Sequence, residues 1–253
     1  MFYLQMLPYQ VREAIEKNFP VVLPLGVLEY HAEHLPLGVD AFVCTEVIKR
    51  VERTHAKQMV VLPPFYYGAA SLAVATPEAH GTVQVDAKKL IPVAEDIFHS
   101  LLRIGFRNIH AFIAHQTEEF AQGMPTDLAF RFAARQTIFK WLEKESGEGW
   151  WGTEKFSSYY SGQNNPFAWV QIHPVRCGED SRQMFPGDHA GKLETSETMA
   201  IYPDSVELDR IDGTLWYARA GREATPEYGE AALQAAAQDM TKLLFPDSSP
   251  QKN

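Results

Sequence analysis

Four short apolar runs, at residues 21–25, 59–62, 108–113 and 167–172, are separated by segments whose apolar residues recur with the period of a helix. That alternation restricts the chain more than any other feature in it. Each run has the length of a strand, is rich in Val, Ile or aromatic residues, and is apolar nearly throughout, as a strand must be when both of its faces are covered. Parallel strands cannot be joined by a tight turn, so the helical segments between the runs serve as crossovers. The pattern predicts an α/β fold with a mostly parallel central sheet, as one domain over residues 1–253.

The clearest crossover starts at Asp86, which can cap a helix whose Leu90, Val93, Ile97 and Leu101 share a face, with Gly105 placed to end it. Residues 40–53, 126–144, 194–201 and 226–244 also read as helices. Residues 145–165, ESGEGWWGTEKFSSYYSGQNN, hold no sustained period and read as a long aromatic-rich loop. Loops of that length are commonly functional or disordered. Trp150, Trp151, Tyr159 and Tyr160 either pack when a ligand or subunit arrives or form a satellite cluster over a helix.

With 45% hydrophobic residues, 15 Phe, 10 Tyr and 5 Trp, the chain can bury a core and is not a disordered one. The 23 Lys and Arg against 32 Asp and Glu give a net charge of -9, which argues against nucleic acid and against an anionic membrane surface, since both need a positive field. No apolar run reaches the roughly 18 residues of a membrane span, and the N-terminus lacks a basic start followed by an apolar stretch. Cys44 and Cys177 are too few and too far apart for a disulfide framework, which fits a reducing, cytoplasmic setting.

The first run opens into LPLGVLEYHAEHLPLGVD, which sets Glu29, His31, His34 and Asp40 within twelve residues. In extended backbone Glu29 and His31 point to the same side, and a turn at Pro36 and Gly38 can bring Asp40 back to them. Two carboxylates and an imidazole are a donor set for a divalent ion such as zinc or manganese. Plainer explanations stand beside that one. Asp40 can be a helix cap, Glu29 and His31 can belong to a surface loop, and His34 is better read as a packed or hydrogen-bonded loop residue than as a ligand. The third run ends at His115, and ligands of parallel α/β sheets gather beyond the carboxyl ends of the strands, so two loops converge. His110 faces the other side of the sheet and reads as a core histidine. Farther on, Asp188 and His189 occupy a glycine-flanked loop before the helix at 194–201. LETSE alone is an ordinary helix start, whereas His189 is placed to accept and return a proton.

Four collinear blocks spanning roughly residues 20–206 give these residues a context. LPLGVLEYHAEHLPLGVD resembles the creatininase (creatinine amidohydrolase) family signature P-x-G-S-x-E-Q-H-G-x-H-L-P-L-x-T-D. VVLPPFYYGAASLAVATPEAHGTVQVD resembles its tyrosine and glycine loop with the P-G-T segment, IGFRNIHAFIAHQTEE its G-F-x-x-x-x-x-x-N-G-H segment, and HAGKLETSETMAIYP its H-A-G-E-x-E-T-S helix start. The resemblance implies a three-layer α/β/α hydrolase, assembled as a homohexamer, that acts on a small molecule with two divalent ions, zinc or manganese, with iron a further option. It implies that Glu29 and His115 bind one ion, that His31 binds the other, that Asp40 bridges them, and that a hydroxide held between the ions attacks a carbonyl carbon. His189 would shuttle the proton to the leaving group, Glu194 would orient this machinery or join it as a ligand, and Phe185 and Ser71 would face the substrate.

The departures from the family pattern are specific. N-G-H-G-G-N is replaced by Ile113, Ala114, His115, Gln116, Thr117 and Glu118. Thr117 stands where a glutamate completes the second ion site of creatininase proper, so Glu118 or Glu119 would have to substitute. Tyr30, Glu33 and Lys192 also differ, and Phe185 replaces a tryptophan. A rebuilt pocket points away from creatinine itself. The expected reaction is opening of an amide-type C–N bond in a small cyclic polar substrate. Hydrolysis of a C–C bond in a cyclic diketone such as a keto-inositol, and a non-catalytic binding descendant, are the alternatives.

Overall fold

The computed structural model describes residues 1–115, 120–162 and 165–246. Its elements run α1 (Pro8–Glu16), β1 (Val21–Leu25), α2 (Val39–Thr54), β2 (Val60–Val61), α3 (Ala87–Ile104), β3 (Ile109–Ile113), α4 (Pro125–Ser146), β4 (Val170–Pro174), α5 (Glu179–Met184), α6 (Lys192–Ile201) and α7 (Pro226–Leu244). The four strands form one sheet in the order β2-β1-β3-β4, and every pairing is parallel.

All five residues of β1 and of β3 are buried, as their unbroken apolar character requires. Alternate residues serve opposite layers. Val21, Leu23, Leu25, Ile109, Ala111 and Ile113 pack on Phe98 of α3 and on Phe130 and Ile138 of α4. Val22 and Phe112 pack on Val43 and Val47 of α2 and on Leu233 and Met240 of α7. The result is the three-layer α/β/α sandwich. Pro24 is accommodated in the central strand because its carbonyl accepts from Phe65 on the β2 side, where Pro63 and Pro64 have already ended the neighbouring strand, so no N–H is missed.

The expected capping of α3 is present: the Asp86 carboxylate accepts from the Lys88 N–H at 2.9 Å, and Gly105 ends the helix at φ 121°. The buried face differs from the expected one. Leu90, Ala94, Phe98, Leu101 and Leu102 face the sheet, while Val93 is 44% exposed, because the large Phe98 ring fixes the rotation of the helix. Strand β4 begins three residues later than the apolar run, since the Asn165 side chain accepts from the Phe167 N–H at 3.0 Å and winds residues 166–168 into a turn. Short helix α1, absent from the helices read from the sequence, opens at Pro8 and sets Val11, Ala14 and Ile15 against the core at helical spacing. Residues 150–161 form short helical turns in which Trp150 and Phe156 are buried in the main core, so these two rings pack over α4 without a ligand, as part of that core and not as a separate cluster.

Candidate metal centre

Chain order places the site. From β1 the chain crosses to β2 on one side and then returns to β3 on the other, so the carboxyl ends of β1 and β3 flank the point where the winding reverses. Glu29 follows β1 by four residues and His115 follows β3 by two.

The loop after β1 is not extended, as its spacing suggested, but folded on itself. Glu29 N–H donates to the Leu37 carbonyl at 3.1 Å, Val83 N–H to the Leu28 carbonyl at 3.0 Å, and Tyr30 N–H to the Thr82 hydroxyl at 3.0 Å. Ala32 holds φ at 59°, a left-handed conformation uncommon outside glycine. His31 Nδ1 lies 3.0 Å from the Glu29 carbonyl, which commits that nitrogen to the backbone and turns Nε2 inward. Asp40 occupies the second position of α2, whose cap residue is Gly38, and its side chain caps nothing.

Three groups of potential ligand atoms result, each spanning no more than 4.8 Å: Glu29 with Asp40 and His115, His31 with Asp40 and Glu194, and Glu29 with His31 and His189. The hinge of the first two is one oxygen. Asp40 Oδ2 lies 3.5 Å from His115 Nδ1 and 3.7 Å from His31 Nε2. Glu29 Oε2 stands 3.3 Å from His115 Nδ1, and Glu194 Oε2 stands 3.4 Å from His31 Nε2. Asp40 Oδ2 and His115 Nε2 are buried without a hydrogen-bond partner among the described residues. Buried polar atoms left unpaired are costly, and a carboxylate and imidazole set of this kind fits divalent ions.

The helix start at α6 supplies the other wall. Asp188 accepts from the N–H groups of Leu193 at 2.7 Å and Glu194 at 3.2 Å, capping the first turn. Glu194 Oε2 accepts from the Ala190 N–H at 2.7 Å, and the same oxygen lies 3.4 Å from His31 Nε2, so the residue is both a helix-start carboxylate and part of the cluster. His189 Nε2–H donates to the Tyr30 carbonyl, 3.0 Å away, since a carbonyl can only accept. Nδ1 is then the free nitrogen, 4.0 Å from Glu29 Oε2. Behind this wall Arg176 pairs with fully buried Glu197. Exposure rises from 1% for the His31 side chain to 24% for that of His189, which sets the open side.

The charges reflect crowding. Burial disfavours charged His115, but Asp40 and Glu29 outweigh it and raise its pKa to about 10. Burial opposes ionisation of Asp40, and His115, His31 and His189 more than offset it, so its carboxyl is lowered. Burial, then Asp40 and Asp188, push Glu194 well above the usual carboxylate range. Burial and His31 lower His189 to about 4. Without an ion, the acidic centre draws a proton onto His115.

Other expected residues lie elsewhere. Phe185 is 6% exposed and buried with Leu193 and Ala232, its ring centroid 5.2 Å from that of Tyr228, because the end of α5 folds onto α6 and α7. The Ser71 hydroxyl accepts from the Ala73 N–H at 2.9 Å in its own loop. His34 is a structural residue, its Nε2 3.0 Å from the Thr195 hydroxyl, and His110 is a buried one paired to His173 at 3.0 Å. Gln116, Thr117, Glu118 and Glu119 lie outside the described residues. One neighbour of the site had no motif to announce it. The Tyr217 ring meets that of His189 edge-on at 5.2 Å.

Comparison with known proteins places the whole chain beside one family. A model of the creatininase (creatinine amidohydrolase) family matches residues 5–244. Creatinine amidohydrolase from Pseudomonas putida is 31% identical over 198 residues, which are 76% of this chain and 67% of that protein. A creatininase variant complexed with creatine superposes with a TM-score of 0.73 at 20% identity, covering 98% of this chain and 99% of the other. A manganese form of creatininase gives 0.70 at 21% identity over 97% and 98%. At those identities the structural likeness speaks for the fold.

Proposed function

The chain belongs to the creatininase family, and on that premise we propose that it is a metal-dependent hydrolase that opens an amide-type C–N bond in a small cyclic polar molecule. Glu29 and His115 would hold one divalent ion, His31 and Glu194 the other, and Asp40 would lie against both. The observation that carries this is the single unpaired Asp40 oxygen set between two imidazoles. When bound, the ions supply Lewis acidity, which lowers the pKa of water towards about 7 and offsets negative charge developing on a carbonyl oxygen.

The chain's own residues do the rest. Glu194 takes the place that Thr117 cannot fill, since a threonine hydroxyl is a poor ligand beside a carboxylate. His189, its Nε2–H spent on Tyr30, has Nδ1 free on the open side to take up a proton and return it to a leaving nitrogen. Two of the departures from the family pattern meet each other: the Tyr30 hydroxyl donates to Glu33 at 2.8 Å, which supports a pocket shaped for a substrate other than creatinine. Ser71 is retained in this proposal as a substrate contact, and a homo-oligomer as the working assembly, measurable by light scattering.

Metal analysis after zinc or manganese supplementation should return close to two equivalents per chain. Less than one would favour the non-catalytic descendant. Creatinine, lactams and keto-inositols are then offered in parallel to the loaded protein. Turnover confined to the keto-inositols would replace the C–N reading with hydrolysis of a C–C bond.

A further inference from the structure

The segment from Glu207 to Ala224 belongs to none of the four family-like blocks, yet it is docked onto the metal loop. Glu207 N–H donates to the His34 carbonyl at 3.1 Å. A Cβ at Gly221 would lie 3.0 Å from His34 Nε2 and 3.1 Å from the Thr195 hydroxyl, so a glycine allows the segment to sit directly on the His34–Thr195 hydrogen bond. The segment's own turn is fixed by Asp212, whose carboxylate accepts from the Thr214 N–H and hydroxyl, both at 2.8 Å. Ala218 is fully buried beneath it. This scaffold carries Tyr217 to the open side of the centre, edge-on to the His189 ring.

The Tyr217 hydroxyl is buried and has no hydrogen-bond partner among the described residues. A phenol placed so normally finds a partner. Its surroundings contain the Tyr30–Glu33 pair, Asp212 and Glu29. We infer that Tyr217 is a substrate contact whose hydroxyl donates to a neutral carbonyl oxygen of the molecule entering beside His189. The neighbouring carboxylates make an anionic acceptor unfavourable there, and Tyr30, already committed to Glu33, leaves Tyr217 as the donor with nothing to serve. The inference rests on the hydrolase reading above.

The test compares the zinc-loaded full chain with Tyr217→Phe and with Trp216→Phe, whose ring is 78% exposed. 2-Pyrrolidinone, a neutral cyclic amide, is the carbonyl probe, titrated by calorimetry, with zinc content and Tm measured on the same samples. Tyr217→Phe is expected to keep its zinc and its Tm while binding the probe about tenfold more weakly, the loss of one hydrogen bond to a desolvated group. Trp216→Phe should bind as the parent does. Equal affinities for the parent and Tyr217→Phe overturn the inference alone. Loss of zinc or an early melt in Tyr217→Phe would make the ring structural and overturns it too. A parent that holds no zinc brings down the hydrolase reading, and this inference with it.

Discussion

The stretch after β1, residues 26–38, and the described residues after α4, 147–162 and 165–168, both lack long helices and strands, and they differ in what they bury. The second buries rings. Trp150 meets Phe156 at 5.0 Å and Phe139 at 6.2 Å, and Phe139 meets Phe167 at 5.1 Å, all over α4. Trp151 and Tyr160, 48% and 84% exposed, form the outer rim of that cluster through Tyr159. The first stretch buries charge. Glu29 and His31 are at most 2% exposed, and Asp40 just beyond is 3%. Aromatic burial stabilises a fold without needing a partner, whereas buried carboxylates raise the energy of the empty protein unless a cation or proton meets them. Irregular backbone is therefore no sign of chemistry; unspent polar atoms inside it are.

That contrast is broken or sharpened most strongly at Asp40. Asp40→Ala should take hydrolytic activity to background and empty both ion positions, read by metal analysis beside the assay. Retention of two equivalents of metal would show that the first stretch does not depend on the shared oxygen. His189→Ala should slow turnover by about 10²- to 10⁴-fold with metal retained; a metal-depleted variant would make His189 a ligand instead of a proton carrier.

In the aromatic stretch the measurable quantity is stability. Trp150→Ala should cost about 3–5 kcal/mol in denaturant unfolding, as removal of a large core ring does, and leave metal content untouched. Trp151→Ala should stay within about 0.5 kcal/mol. Comparable losses for the two would mean that Trp151 is also covered, by a subunit for instance.

A smaller effect separates the regions by pH. In metal-free protein His115 is raised from 6.5 to about 10, burial opposing and Asp40 with Glu29 prevailing. A raised imidazole contributes stability that is complete below about 6.5 and is lost as pH rises through about 10. Glu194, raised mainly by burial, acts with the same sign, because its ionisation at higher pH adds uncompensated charge. The metal-free Tm should fall across that window, and the zinc-loaded Tm should fall less. Parallel slopes for the two forms would contradict the assignment of charge to the centre.

Much of the site was legible because the residues follow strands whose apolar runs are hard to mistake. Glu29, Asp40 and His115 could be placed at one sheet edge because their loops follow strands, His110 was set aside by parity, and His34 by the readiness of a loop histidine to pack or hydrogen-bond. Glu194 was harder, since a carboxylate in the first turn of a helix is common; only its approach to His31 gives it a second use. Phe185 was assigned to the substrate by the family resemblance alone, and no property of the sequence foretold its burial with Leu193 and Ala232. Arg176 and Glu197 gave no signal as a pair, being on different elements, and Tyr217 belongs to a segment without period or motif.

The sequence by itself determined the alternation of elements, the parallel sheet and the ligand types at its carboxyl edge, because periodicity and residue chemistry are local properties written in order along the chain. Only the tertiary structure decided which Asp40 oxygen stands between two imidazoles, that Glu194 turns toward His31, and that Tyr217 reaches His189. Those are distances between side chains far apart in sequence, fixed by how whole elements pack against one another.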